Sequence, residues 1–264
     1  ISLSGELDTN NPEVTTFAGT GSAGSTNATG TSASFYFPQG ITSDGTNLYV
    51  SDTENNKIRK IVISTGVVTT FTGSGSSGSA DGTGTSASFN TPKGITIDGT
   101  NLYVVDTDNH IIRKIVISTG VVTTIAGTGN SGFADSTTGT LAIFYKPYGI
   151  TSDGTNLYVT DDKNHKVRKI VIATGAVSTF AGSTNGFANG TGTAAKFSNV
   201  KGITTDGTNL YVADRTNNRI RKIVIATGVV TTLAGSGTQG STNGTGTAAS
   251  FNKPMGITID GSNL

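Results

Sequence analysis

The sequence has no cysteine and no tryptophan, one methionine, two histidines and only three glutamates, Glu6, Glu13 and Glu54. The missing cysteine excludes disulfide staples and any chemistry that needs a thiolate. Charged residues are 13% of the chain, and 18 cations face 17 acids for a formal net charge of +1. Without a clustered surplus of positive charge, no nucleic-acid partner is expected. No apolar run approaches the ~18 residues of a membrane-spanning helix, so no membrane insertion is expected. The chain opens on Ile1 with no visible leader.

Apolar residues are also scarce, at 34%. Disordered chains share that poverty, but they add high net charge and few β-branched residues. Here Ile, Val and Thr abound beside 37 glycines. That is the profile of many short strands joined by Gly-rich turns. Low charge and richness in Thr, Ser and Asn without cysteine point to an exported bacterial protein, extracellular or at the cell surface.

One unit recurs through the whole length. Gly-Ile-Thr-x-Asp-Gly begins at Gly40, Gly94, Gly149, Gly202 and Gly256. Asn-Leu-Tyr-Val-x-Asp follows from Asn47, Asn101, Asn156 and Asn209, then Ile/Val-Arg-Lys-Ile-Val-Ile from Ile58, Ile112, Val167 and Ile220. A Thr-Gly turn then leads into Val-x-Thr/Ser-Thr, as at Val67. In the first copy the pattern predicts strands over Gly40–Asp44, Leu48–Ser51, Ile58–Ile63 and Val67–Phe71. Asp-Gly and Thr-Gly supply the φ > 0 of tight hairpins, and Asn55-Asn56 marks the middle turn. Three hairpins in series give a four-stranded antiparallel meander, which buries both faces only when copies pack radially. The expected fold is an all-β propeller, one domain over residues 1–264, with repeats beginning near 38, 92, 147, 200 and 254. The ends are complementary: Val14–Gly19 matches an outer strand, and Gly256–Leu264 an inner one. Joined, with Ile1–Ser4 as a further strand, they would make a fifth latch blade; a sixth would need additional residues.

The motif Pro-x-Gly-Ile-Thr-x-Asp followed by Leu-Tyr-Val-x-Asp-x-x-x-Asn-x-x-Ile-Arg-Lys-Ile resembles the NHL repeat. It carries Pro38, Pro92, Pro147 and Pro254, with Val200 in the fourth copy. The resemblance covers Glu13 to Leu264 and implies a propeller that binds or scaffolds. Propellers of this family commonly have six blades.

Most recurrent polar residues read as architecture. Asp44, Asp98, Asp153, Asp206 and Asp260 each precede a glycine and form hairpin corners rather than a metal ring. Asp52, Asp106, Asp161 and Asp214 lie seven residues before Arg59, Arg113, Arg168 and Arg221. Each set forms a structural pair within its blade. His110 and His165 occupy a slot held elsewhere by Asn56 and Asn218; with no third ligand they make no metal site. They remain candidate loop contacts, as do Phe133 and Phe187, aromatics in otherwise polar linkers. Asn27, Asn189 and Asn243 sit in Asn-x-Thr triplets.

The copies differ most where the chain enters the innermost strand. The residue before each repeat glycine is Gln39, Lys93, Tyr148, Lys201 or Met255, and two residues further upstream stand Lys146 and Lys253 in the third and fifth copies. In a propeller these positions surround the channel mouth. They are the candidate ligand-binding residues for a protein or carbohydrate partner. No catalytic set, metal or cofactor is expected. Two alternatives stand beside the binding or scaffold reading. One is a structural bead of a surface or filament assembly, joined through an incomplete latch blade that presents a free strand edge. The other is an enzyme, an NHL-like lyase or a gluconolactonase-like hydrolase, whose metal ligands the scarcity of glutamate disfavours.

Overall fold

The computed structural model describes residues 14–261 and 263–264. Four complete blades follow one another along the chain. The first is built from Pro38–Ser43, Asn47–Asp52, Lys57–Val62 and Val67–Thr72, running from the channel outwards. The second uses Pro92–Ile97, Asn101–Asp106, Ile111–Val116 and Val121–Ala126. The third uses Pro147–Ser152, Asn156–Asp161, Lys166–Val171 and Val177–Ala181. The fourth uses Val200–Thr205, Asn209–Asp214, Arg219–Val224 and Val229–Ala234. Every neighbouring pair is antiparallel. The innermost strand begins two residues earlier than the pattern predicts, because the residue ahead of the glycine is carried past it on a bulge, as between Pro147 and Ile150.

The linkers are ordered. In blades one, two and four, Ala28–Thr29, Gly82–Thr83 and Gly190–Thr191 add a short fifth strand outside the fourth. Each linker also returns a phenylalanine from an Ala-x-Phe triplet; Phe89, Phe144 and Phe197 are fully buried.

The cores lie between blades. Tyr49 and Ile58 of the first blade pack on Ile95, Leu102, Val104, Ile115 and Val122 of the second. The same layer recurs between second and third, and between third and fourth. Fully burying one such aliphatic side chain stabilises the fold by about 1.5–3 kcal/mol. At the axis the innermost strands approach closely. A Cβ on Gly94 would lie 2.6 Å from the Tyr148 carbonyl oxygen, and one on Gly149 2.5 Å from that of Lys201. Only glycine permits that spacing.

The joined fifth blade does not form among the described residues. Residues 14–19 and 256–261 form no strand, and Ile1–Ser4 lies outside the described residues. The last repeat keeps its turn, with the Asp260 N–H donating to the Asn263 carbonyl. It also meets the fourth blade, where the Gly202 N–H donates to the Met255 carbonyl at 2.7 Å. At the other end, Ile41 is 61% exposed, whereas Ile95, Ile150 and Ile203 are 6–7% exposed beneath a preceding blade.

A left-handed residue precedes each innermost strand: Phe37, Thr91, Lys146, Asn199 and Lys253, at φ 48° to 53°. Thr91 is the least suited, being β-branched, and its buried hydroxyl has no partner. We expect Thr91→Asn, which copies Asn199, to stabilise the protein by about 1 kcal/mol in chemical denaturation, by relieving the backbone and removing that orphan.

Candidate functional site

Each blade contains one fully buried arginine, and these four are the largest fully buried side chains among the described residues. In the first blade, Arg59 Nη1 donates to Asp52 Oδ2 at 2.8 Å and to the Ser34 carbonyl at 3.0 Å. Its Nη2 donates to the Thr26 carbonyl and to Asn27 Oδ1. Phe35 lies against the guanidinium at 5.1 Å. Asp52 is saturated in turn, by Asn55 and the Tyr36 N–H. Arg113, Arg168 and Arg221 repeat the arrangement with Asp106, Asp161 and Asp214 at 2.7–3.0 Å. Burial pushes the Asp106 carboxyl up to about 6, against the hydrogen bonds of Asn109 and Asn90 and the charge of Arg113. Sealed from solvent, with only the Nε of each guanidinium left unpartnered, these carboxylates and guanidiniums are structural, with no access for a substrate.

The arginines explain several residues that sequence reasoning placed elsewhere. Their outer ligand is Asn27, Asp81, Asp135 or Asn189, so two Asn-x-Thr asparagines serve as clamps. Phe133 and Phe187, expected as free loop contacts, lie against cations. Phe133 is 4.8 Å from both Lys166 and Arg168, and Phe187 is 3.8 Å from Arg219 and 4.9 Å from Arg221. They roof the buried guanidiniums. Their ~45% exposure is the outer face of that roof.

His110 and His165 likewise take part in the frame. Both are left-handed, and Nδ1 accepts the backbone N–H of Lys146 and Asn199, each at 3.1 Å. Asn56 and Asn218 do the same for Thr91 and Lys253 through Oδ1. The slot requires a residue that tolerates φ > 0 and presents an acceptor to the next blade. Asn and neutral His both qualify. The turn aspartates cap hairpins: Asp44 accepts the N–H groups of Thr46 and Asn47 and the Tyr49 hydroxyl. Burial opposes it, but hydrogen bonds led by that of Asn47 hold its carboxyl at about 2. Among the described residues, no group of three His, Cys, Asp or Glu side chains gathers as a metal site requires, and no helix is long and apolar enough to cross a membrane.

At the channel mouth the variable side chains converge. The Tyr148 hydroxyl donates to Gln39 Oε1 at 2.8 Å, joining blades three and one. Lys93 and Lys201, from the flanking blades, place their ammonium groups 5.0 and 4.2 Å from the Tyr148 ring centre. Lys201 also donates to Asp162 Oδ2 at 2.8 Å. Burial raises the Tyr148 phenol and lowers both lysines from their ordinary pKa values. Asp162 and Arg215 share one slot just after the second strand, and both lie within charge range of Tyr148. The outlying candidates do not join the cluster. Lys146 pairs with Asp108 at 3.3 Å, Lys253 is exposed, and Met255 is 43% exposed on the last repeat.

No family model matches the chain. Among curated proteins, NHL repeat-containing protein 2 of Gallus gallus is 26% identical over 317 aligned positions, covering 85% of this chain and 44% of that protein. Its Bos taurus counterpart is 34% identical, covering 62% and 25%. Protein SUPPRESSOR OF QUENCHING 1, chloroplastic, of Arabidopsis thaliana is 28% identical, covering 86% and 23%. The chain therefore spans less than half the length of these relatives. Among solved structures, an auxiliary nutrient binding protein from Bacteroides thetaiotaomicron matches with a TM-score of 0.65 at 17% identity, covering 88% of this chain and 56% of that one. One from Bacteroides ovatus matches at 0.56 and 16%, covering 93% and 71%.

Two outcomes test this account of the frame. Arg113→Met should cost about 3–5 kcal/mol in chemical denaturation, because it strands Asp106 in the interior; adding Asp106→Asn should restore part of the loss. For the histidines, burial holds both imidazoles below their ordinary pKa. Their stabilising contribution is therefore complete above the unfolded value of about 6.5 and is lost as pH falls towards the folded value. The double variant His110→Asn, His165→Asn should match the wild type near pH 7 and lose less stability between about pH 7 and pH 5.

Proposed function

Because the chain is a propeller of NHL repeats, we propose that it is a non-catalytic binding or scaffold domain whose partner seats on the channel mouth. One observation carries this reading. The slot before the repeat glycine holds Gln, Lys, Tyr, Lys and Met in the five copies, and Gln39, Lys93, Tyr148 and Lys201 meet there. Elsewhere the recurrent polar groups are consumed by the frame, so the mouth is where this molecule departs from its own repeat. The buried Asp–Arg pairs are closed to substrate, which favours recognition over catalysis. The composition supports an extracellular setting, and the likeness in fold to the two Bacteroides auxiliary nutrient binding proteins is compatible with a ligand at this face.

A second reading rests on the exposed side of the first blade. Ile41, Phe17, Leu48, Val50 and Ile61 line an apolar groove of about 460 Å³ there. In the later blades the corresponding isoleucine is covered by the tyrosine-bearing face of the preceding blade. This favours assembly through an added blade-like surface.

The two readings separate on an immobilised array of glycans and peptides probed with wild type, Tyr148→Ala and Ile41→Lys. Binding at the mouth predicts that Tyr148→Ala loses about tenfold or more in affinity while Ile41→Lys is unaffected. Binding that survives Tyr148→Ala would remove the mouth as the site, and loss with Ile41→Lys alone would move it to the first blade.

A further inference from the structure

The channel mouth is not electrically neutral, and its charges are not all paired. The titratable groups coupled to Lys93, Tyr148 or Lys201 are Lys93, Lys146, Lys163, Lys201 and Arg215 against Glu54, Asp108 and Asp162. That is five cations to three carboxylates. Asp108 is paired with Lys146, and Asp162 with Lys201 at 2.8 Å and Lys163 at 3.9 Å. Among the described residues, neither Lys93 nor Arg215 has a carboxylate within 4.0 Å.

The polar atoms are incompletely matched as well. Asp162 is 2% exposed, and its Oδ1 is buried without a hydrogen-bond partner. Arg215 Nε is also buried and unpartnered, a state it shares with Nε of Arg59, Arg113, Arg168 and Arg221. Gln39 uses its Oε1 on Tyr148 and makes no other side-chain hydrogen bond among the described residues, leaving its amide N–H groups to donate. An orphaned buried acceptor carries a desolvation cost that a bound donor would relieve. Within one slot of one repeat protein, Thr53 in the first blade instead satisfies itself on the Pro92 carbonyl at 2.7 Å. Thr107 in the second blade keeps its hydroxyl buried without a partner, and the third and fourth blades place a charged residue in this slot.

Resting on the channel-mouth reading above, we propose that this cluster is a receptor for a uronic-acid residue, a sugar ring bearing one carboxylate among hydroxyls. The two unpaired cations, Lys93 and Arg215, supply charge for the carboxylate. Asp162 Oδ1 accepts from a ring hydroxyl, and the Gln39 amide donates to another. Tyr148 is a positioning residue that holds the two lysines and the glutamine about the mouth. An acidic amino-acid side chain would answer the cations but brings no hydroxyl for Asp162, so the pairing of surplus cations with a buried orphan carboxylate oxygen selects the sugar acid.

The test uses the whole chain and isothermal titration with sodium glucuronate, glucose, sodium acetate, inorganic phosphate and N-acetylglutamate. Glucuronate should bind measurably tighter than all the others, and more weakly as NaCl is raised. Lys93→Met and Asp162→Asn should each weaken it by about tenfold or more, with circular dichroism and melting confirming that the variants fold. Equal binding of acetate or phosphate would reduce the site to an unselective anion site and overturn the proposal. Preference for N-acetylglutamate would overturn it in favour of an acidic peptide. Equal binding of glucose and glucuronate, lost in Tyr148→Ala, would overturn the charge assignment while leaving the channel-mouth reading standing. Absence of binding by every probe would overturn the uronate proposal, and the Tyr148→Ala array result would then judge the channel-mouth reading alone.

Discussion

A buried guanidinium in each blade is the interaction on which the rest depends. An unpaired charge in an apolar interior is prohibitively unfavourable, so Arg59 and its three counterparts must collect acceptors from every direction. They find a carboxylate on the adjacent strand and carbonyls and an Asn or Asp on the linker. The linker is Gly-, Ser- and Thr-rich, and apart from its buried Ala-x-Phe triplet it has little hydrophobic reason to fold. It is drawn in because the arginine needs it. Phe35 and its equivalents then close the package from the side. The ion pair thus acts less as a source of net stability than as a specification of which segment lies where.

Between blades the specification is different. Apolar layers supply the bulk of the attraction, but they slide easily. The backbone hydrogen bond from Asn or His to the left-handed residue of the following blade fixes the register. At Phe37, where no blade precedes among the described residues, the same left-handed turn has no such acceptor among them. Glycines at the axis then allow neighbouring inner strands to approach at backbone distance, which brings the residues just before them, Gln39, Lys93, Tyr148 and Lys201, within reach of one another.

Local features of this architecture were legible in the sequence, because they are written locally. Asp-Gly and Thr-Gly turns and the alternation of β-branched residues identify four strands per repeat within a residue or two. The Asp–Arg pairs follow from hairpin spacing alone. What escaped was non-local. The arginine's linker ligands lie 25–33 residues away, and nothing in their immediate neighbourhood marks them. The recurrence of Ala-x-Phe at the repeat period was the available signal for the buried phenylalanines. Phe133 and Phe187 looked like free aromatics because an exposed ring in a polar loop has the same sequence whether or not an arginine lies beneath it. The variable slot before the glycine was visible by comparing copies, yet the contact of Tyr148 with Gln39 spans 109 positions and needed the curvature of the blades.

The arginine clamp has a consequence for how such a chain can change its length. All ligands of each guanidinium come from its own blade and the linker leading into it. The staple to the next blade uses a slot that every copy provides. Excising or duplicating one whole unit therefore strands none of the four buried guanidiniums and keeps the staple between blades, whereas a cut of any other size does neither. At the level of the gene, a tandem array of near-identical units recombines in register by whole copies. The protein's physics and the mechanics of unequal crossing-over permit the same step, so such a propeller gains or loses blades one at a time, and the side chains at its mouth diverge afterwards.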